Sequence, residues 1–150
     1  MPAIPDLQGN FATSKFRQYV LQALKIGLPV VLQPDTSVGY QKFHHVSSLA
    51  TTNDTLVETG SKSIGHVSIM HIGTGNSNRY LKLYNKATAP TSADVPMLTL
   101  AVHSGETIVL TPSIPFVFSN GLGYRMTANY ADNDNTAVAA GEMAINIIYA

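Results

Sequence analysis

The run that decides the fold is Leu98-Thr99-Leu100-Ala101-Val102-His103-Ser104-Gly105-Glu106-Thr107-Ile108-Val109-Leu110. Leu98, Leu100 and Val102 recur at every second position, His103-Ser104-Gly105 interrupts them, and Ile108 and Leu110 resume the alternation. A period of two with one apolar face is what a half-buried antiparallel strand requires. The same pattern extends toward the C-terminal end of the sequence. Phe116 and Phe118 share a face, and Ser119-Asn120-Gly121 then supplies a turn in which Asn-Gly tolerates positive φ. Tyr124, Met126, Ala128 and Tyr130 alternate with Arg125, Thr127 and Asn129, and Met143, Ile145, Ile147 and Tyr149 alternate around Asn146.

Working back toward residue 41, short segments of this kind fill the chain, separated by turn residues. The predicted strands are 42–49, 55–59, 63–72, 79–86, 96–102, 106–111, 114–119, 123–131 and 143–149. Nine short strands in about 110 residues predict an all-β antiparallel sandwich, jelly-roll-like, over residues 41–150.

Residues 1–40 read differently, as an N-terminal arm with a short helix. Pro2, Pro5 and Gly9 punctuate a segment without periodicity. Thr13 or Ser14 is placed to cap a helix bearing Phe16, Val20 and Leu24 at i, i+4 and i+8, with Tyr19 and Ala23 beside them and Gly27 as its stop. A strand is the alternative for this segment. Pro29 to Gln33 reads as a short edge strand.

Composition narrows the function. Charged residues make up 12% of the 150 positions and hydrophobic residues 45%, so the surface is built largely from hydroxyls and amides. Nine basic residues balance nine acidic ones. That neutrality speaks against sequence-independent nucleic-acid binding, which needs a basic footprint, and against an anionic membrane surface. It favours self-association, since no net repulsion holds copies apart. With no cysteine there is no disulfide or thiolate chemistry. Residues 1–10 lack a basic stretch followed by an apolar run, and no run approaches the ~20 apolar residues of a spanning helix. The expectation is a soluble product of a host cytoplasm.

The search for chemistry predicts no catalytic residues, no cofactor and no metal site. His44 and His45 fall on opposite faces of a strand, as do His66 and His71, because their separations are odd. Asp132-Asn133-Asp134-Asn135-Thr136 begins like a calcium loop, but Ala137 stands where a sharp turn needs Gly and Met143 where a bidentate Glu belongs. It reads as a turn. Gly73 and Gly75 lie in a loop without the Lys of a phosphate-binding motif, and no Gly-x-Ser-x-Gly elbow occurs.

One strand stands apart. In Arg79 to Lys86, Leu81 and Leu83 face one way while Tyr80, Lys82 and Tyr84 face the other. That second face is either a solvated surface with amphipathic side chains lying along it or a contact surface, since Tyr is enriched at interfaces. Tyr80, Lys82 and Tyr84, with Phe16, Tyr19, Val20 and Leu24 of the arm, are the candidate interface residues.

The stretch Asn78-Arg79-Tyr80-Leu81-Lys82-Leu83-Tyr84-Asn85-Lys86-Ala87-Thr88-Ala89-Pro90 resembles a widespread group of small tailed-phage and prophage proteins from the virion structural gene region. The likeness continues through Pro96-Met97-Leu98-Thr99-Leu100, Phe116 to Phe118, Gly121 to Tyr124 and the Asp-rich loop from Asp132 to Ala140, and covers roughly residues 50–150. It implies a β-sandwich virion component without catalytic residues. The expected role is a capsid decoration or cement subunit on the outside of the head shell, trimeric and bound to the major capsid protein. The alternative is a carbohydrate-binding host-recognition module of a tail fibre, spike or baseplate. A sugar-processing enzyme is disfavoured, because no pair of carboxylates is recognisable for glycoside hydrolysis.

Overall fold

In a computed structural model of the chain, residues 42–150 are described. The expected arm, its helix and the edge strand at 29–33 lie outside these residues. Nine strands are formed among the described residues: β1 Lys42–Ser47, β2 Thr55–Thr59, β3 Lys62–His71, β4 Asn78–Asn85, β5 Leu98–His103, β6 Thr107–Leu110, β7 Phe116–Phe118, β8 Gly121–Thr127 and β9 Met143–Tyr149. Each predicted strand has its counterpart, and no helix occurs among the described residues.

All strand pairs are antiparallel, in two sheets. The first runs β1-β9-β3-β6 with β7 also paired to β3, and the second runs β2-β8-β4-β5. The pairing is nested: β1 with β9, β2 with β8, β3 with β6 and β7, β4 with β5. Residues 42–150 are therefore one long two-stranded ribbon, its tip at the β4–β5 connection, rolled so that successive stretches fall alternately into the two sheets. That is the jelly roll. β3 hands over from β7, paired at 62–64, to β6, paired at 67–70, across an irregularity between Ile64 and His66 where Gly65 sits.

The two inner faces close over a core of alternating residues: Ile64, Val67 and Ile69 from β3, Leu81 and Leu83 from β4, Leu122, Tyr124 and Met126 from β8, and Met143, Ile145, Ile147 and Tyr149 from β9. Leu98, Leu100, Ile108, Leu110 and Phe116 pack against its rim. Core burial supplies the driving force, at ~25 cal/mol per Å² of apolar surface removed from water.

Strand boundaries fall within two residues of expectation except at the end of β8. The alternation through Ala128 and Tyr130 predicts a strand to 131, but β8 ends at Thr127 and Tyr130 is exposed. The Asp134 carboxylate accepts hydrogen bonds from the Asn129 backbone N–H (2.9 Å) and the Thr136 hydroxyl (2.8 Å), while Ala128 N–H donates to Thr136 O (3.0 Å). This local network takes the backbone groups that a longer strand would have offered to the sheet.

Candidate functional site: a covered sheet face and an open one

The outer face of the second sheet is the one singled out by sequence, and it is closed. In register, Tyr80 lies opposite Thr127, Lys82 opposite Arg125 and Tyr84 opposite Gly123. Lys82 and Arg125 are fully buried and Tyr84 is 1% exposed, with Tyr80 half-buried. Of the three candidates on this strand, Lys82 and Tyr84 are therefore buried and Tyr80 is half-buried. Phe16, Tyr19, Val20 and Leu24, the other candidates, lie outside the described residues.

The cover is the chain itself. The loop after β8 folds back across β8 and β4, and buried Pro90 from the connection after β4 packs where a Gly123 side chain would stand, 3.0 Å from its Cβ position. Two cations side by side on adjacent strands repel, so the loop must bring acceptors. Arg125 donates from Nε to Asp54 Oδ1 (2.6 Å), from one terminal nitrogen to Asp134 O (3.2 Å) and from the other to Asn135 Oδ1 (2.8 Å). Lys82 donates from Nζ to Ala131 O. Tyr130 meets Tyr80 edge to face at 5.9 Å between ring centres. Burial lowers the Lys82 pKa and Arg125 lowers it further, while Asp134 and Asp132 oppose the shift. Burial also raises the Tyr84 pKa, its hydroxyl lying buried near the Arg125 guanidinium without a hydrogen bond of good geometry. The Asp-rich loop is thus a latch on two buried cations. The signal for it was present in the sequence, as two cations on apolar-patterned strands and an acidic loop directly after one of them.

A second polar cluster lies where β3 ends. Glu142 Oε1 is 2.6 Å from Arg79 and 3.4 Å from Nε2 of the buried His71, and Glu142 Oε2 accepts from Ala139 N–H at 2.7 Å. Burial would raise the Glu142 pKa, but the Arg79 guanidinium and the Ala139 N–H outweigh it and hold it low. Gly73 passes so close that a Cβ there would stand 2.6 Å from His71 Nε2. A shallow cleft of about 410 Å³ opens between residues 72–74 and 139–142. The cluster ties two connections together at one end of the sandwich. No group of three or more His, Cys, Asp or Glu side chains is placed to hold a metal ion among the described residues.

The outer face of the first sheet has no such cover among the described residues. Pairing in register sets its outward side chains in three rows across β1, β9, β3 and β6. Phe43, Ile148 and His66 form the first, His45, Asn146, Ser68 and Val109 the second, and Ser47, Ala144, Met70 and Thr107 the third. None of these positions carries a formal charge. The polar groups bond along the face: His45 Nδ1 lies 2.7 Å from Asn146 Oδ1, Asn146 Nδ2 donates to Ser68 Oγ (3.0 Å), and His66 Nδ1 lies 3.1 Å from Thr111 Oγ1. Apolar groups stand among them, with Phe43 74% exposed, Val109 60% and Met70 45%.

No protein-family model matches the chain, and no curated protein matches it. Among solved structures it is similar to the coat protein of Tobacco streak virus, at 9% identity over 79% of this chain and 90% of that one, with a TM-score of 0.31. An overlap that loose transfers neither a family nor a role, and the chain is placed by its own topology and surfaces.

Proposed function

We infer that the chain is a non-catalytic structural subunit of a virus particle, working as a decoration or cement subunit that binds the major capsid protein on the outside of the head shell. The observation that carries the reading is the asymmetry of the sandwich. One sheet is sealed by the chain's own loops, whereas the other presents a broad uncharged face whose polar groups are largely paired with one another. Such a face is suited to burial in an assembly, because no ion must be stripped of water and few hydrogen-bonding groups are left unmatched. The phage assignment draws on the run of motifs from Asn78 to Ala140, which the structure locates in β4, β5, β7, β8 and the latch loop. Work of this kind requires shape and adhesion, and the buried Lys82 and Arg125 and the half-buried Glu142 are all engaged in holding loops.

Electron cryo-microscopy of the intact particle, with copies counted, tests the role. Hundreds of copies over an icosahedral shell are expected. A handful confined to the tail would overturn the decoration role in favour of host recognition.

A further inference from the structure

We propose that the open outer face of the first sheet is covered by the same face of a second copy of this chain, forming a two-fold pair. The inference rests on the reading of the protein as an assembly subunit and names its first partner.

Charge is the first argument. Most surfaces repel a copy of themselves somewhere, since like charges meet across a two-fold axis. Here the outward positions of β1, β9, β3 and β6 hold no Lys, Arg, Asp or Glu, so the face meets its own image without electrostatic cost. A partner of strongly acidic or basic surface would instead lose hydration against it with nothing in return.

The distribution of apolar groups is the second. Phe43 and Ile148 occupy one corner of the array and Met70 and Val109 the diagonally opposite one, with the hydrogen-bonded row of His45, Asn146 and Ser68 running between. A two-fold axis in the plane of the face, along either diagonal, lays apolar corner on apolar corner and polar row across polar row. That rotation crosses the strands of the two copies at nearly a right angle, one of the two regular ways in which sheets stack.

Size is the third. Strands about 4.8 Å apart, of 6, 7, 10 and 4 residues in β1, β9, β3 and β6, give a face on the order of 400 Å², about half the ~800 Å² per partner of a standard stable interface. With Ile114 and Val117 exposed at the β6–β7 margin by 80% and 51%, the apolar rim extends past the array.

Sedimentation velocity of the full chain, across a range of concentrations and at low and high salt, tests the pairing. The expected result is a species of twice the chain mass whose formation is insensitive to salt, because no exposed ion pairs contribute. Val109→Glu and Asn146→Lys each place an unpaired charge within the contact and are expected to raise the dissociation constant by ~100-fold or more. Tyr130→Glu, on the other side of the sandwich, leaves the mass unchanged. Both face positions are exposed, and a thermal melt matched to the parent protein certifies each variant's fold; should one fail, the other is read. A monomeric parent protein, a trimer, or a dimer that both face variants preserve overturns the proposal. Copy counting on the particle is a separate readout: shell copies without solution dimers would sink the face and spare the role, and dimers absent from any particle would do the reverse.

Discussion

Glu58 shows how a small number of charges serves this protein. Its carboxylate accepts from Lys42 Nζ, lies 3.0 Å from Lys62 Nζ and takes the Tyr149 hydroxyl at 3.2 Å, which together hold its pKa down from 4.5 to about 2. Asp94, gripped by Lys86 and by the Thr91 backbone and hydroxyl, is likewise held at about 2. A depressed carboxylate contributes stability that is complete above its unfolded pKa and is lost as pH falls toward the folded one. His44 acts in the same sense at higher pH. Burial, with His45 beside it, lowers its pKa, so protonation below ~6.5 favours the unfolded chain. Melting temperature is therefore expected to hold near neutrality, begin to slip below ~6.5 and fall steeply between ~4.5 and 2. Glu58→Gln flattens the steep part of the curve, and a profile unchanged by that substitution would remove Glu58 from the account. Close approach matters as much as charge. A Cβ on Gly121 would lie 2.5 Å from Lys86 O and 3.0 Å from Glu58 O, both backbone atoms, at φ +156°. Gly121→Ala is expected to cost about 2–4 kcal/mol in denaturant unfolding, among the larger single-site effects. The Asn-Gly turn was legible in the sequence, but the carbonyls crowding the glycine belong to residues 35 and 63 positions away and left no local mark.

At the scale of the element, the latch loop and β8 separate what sequence shows from what it hides. Period-two alternation located every strand, because it records the inner face, which one core dictates. The outer face obeys no such rule, and so Tyr80, Lys82 and Tyr84 read as exposed when the loop after Thr127 lies over them. The two buried cations contribute with opposite sign. Arg125 satisfies Asp54, Asp134 O and Asn135, so Arg125→Met leaves three acceptors without a donor and is expected to cost about 3–5 kcal/mol. Lys82 has one acceptor and a cation for a neighbour, so Lys82→Met, of similar volume, is expected to be neutral or stabilising by about 1 kcal/mol. A loss comparable to that of Arg125→Met would show that the bond to Ala131 O outweighs the cost of burying the ammonium beside Arg125. Asp134→Ala removes the acceptor that organises Asn129 and Thr136, and amide exchange of residues 128–136 should accelerate while that of β3 and β9 stays slow.

For the molecule as a whole, the nested ribbon means that nearly every contact joins distant parts of the sequence. The partners in β1–β9 are separated by about a hundred residues, as Lys42 with Tyr149. Chains dominated by such pairings fold in milliseconds to seconds, and stopped-flow refolding in that range is expected; a microsecond phase carrying the full amplitude would contradict it. The class of fold was legible as nine alternating segments, but the sandwich's functional asymmetry was not. Which sheet is left open depends on where two loops come to rest, a tertiary fact to which the outward positions of β1, β3, β6 and β9 contribute only by lacking charge.

β9 lies between β1 and β3, wedged into the middle of its sheet although it is drawn from residues 143–149. Until those residues are in place, β1 has no strand neighbour and β3 is paired on one edge only, with β6 and β7. The nascent chain therefore cannot mature segment by segment, and the open face, three of whose rows run through β9, does not exist until translation has passed it. A product that stops short of residue 143 lacks the strand through which all three rows of that face pass, and so lacks the face itself.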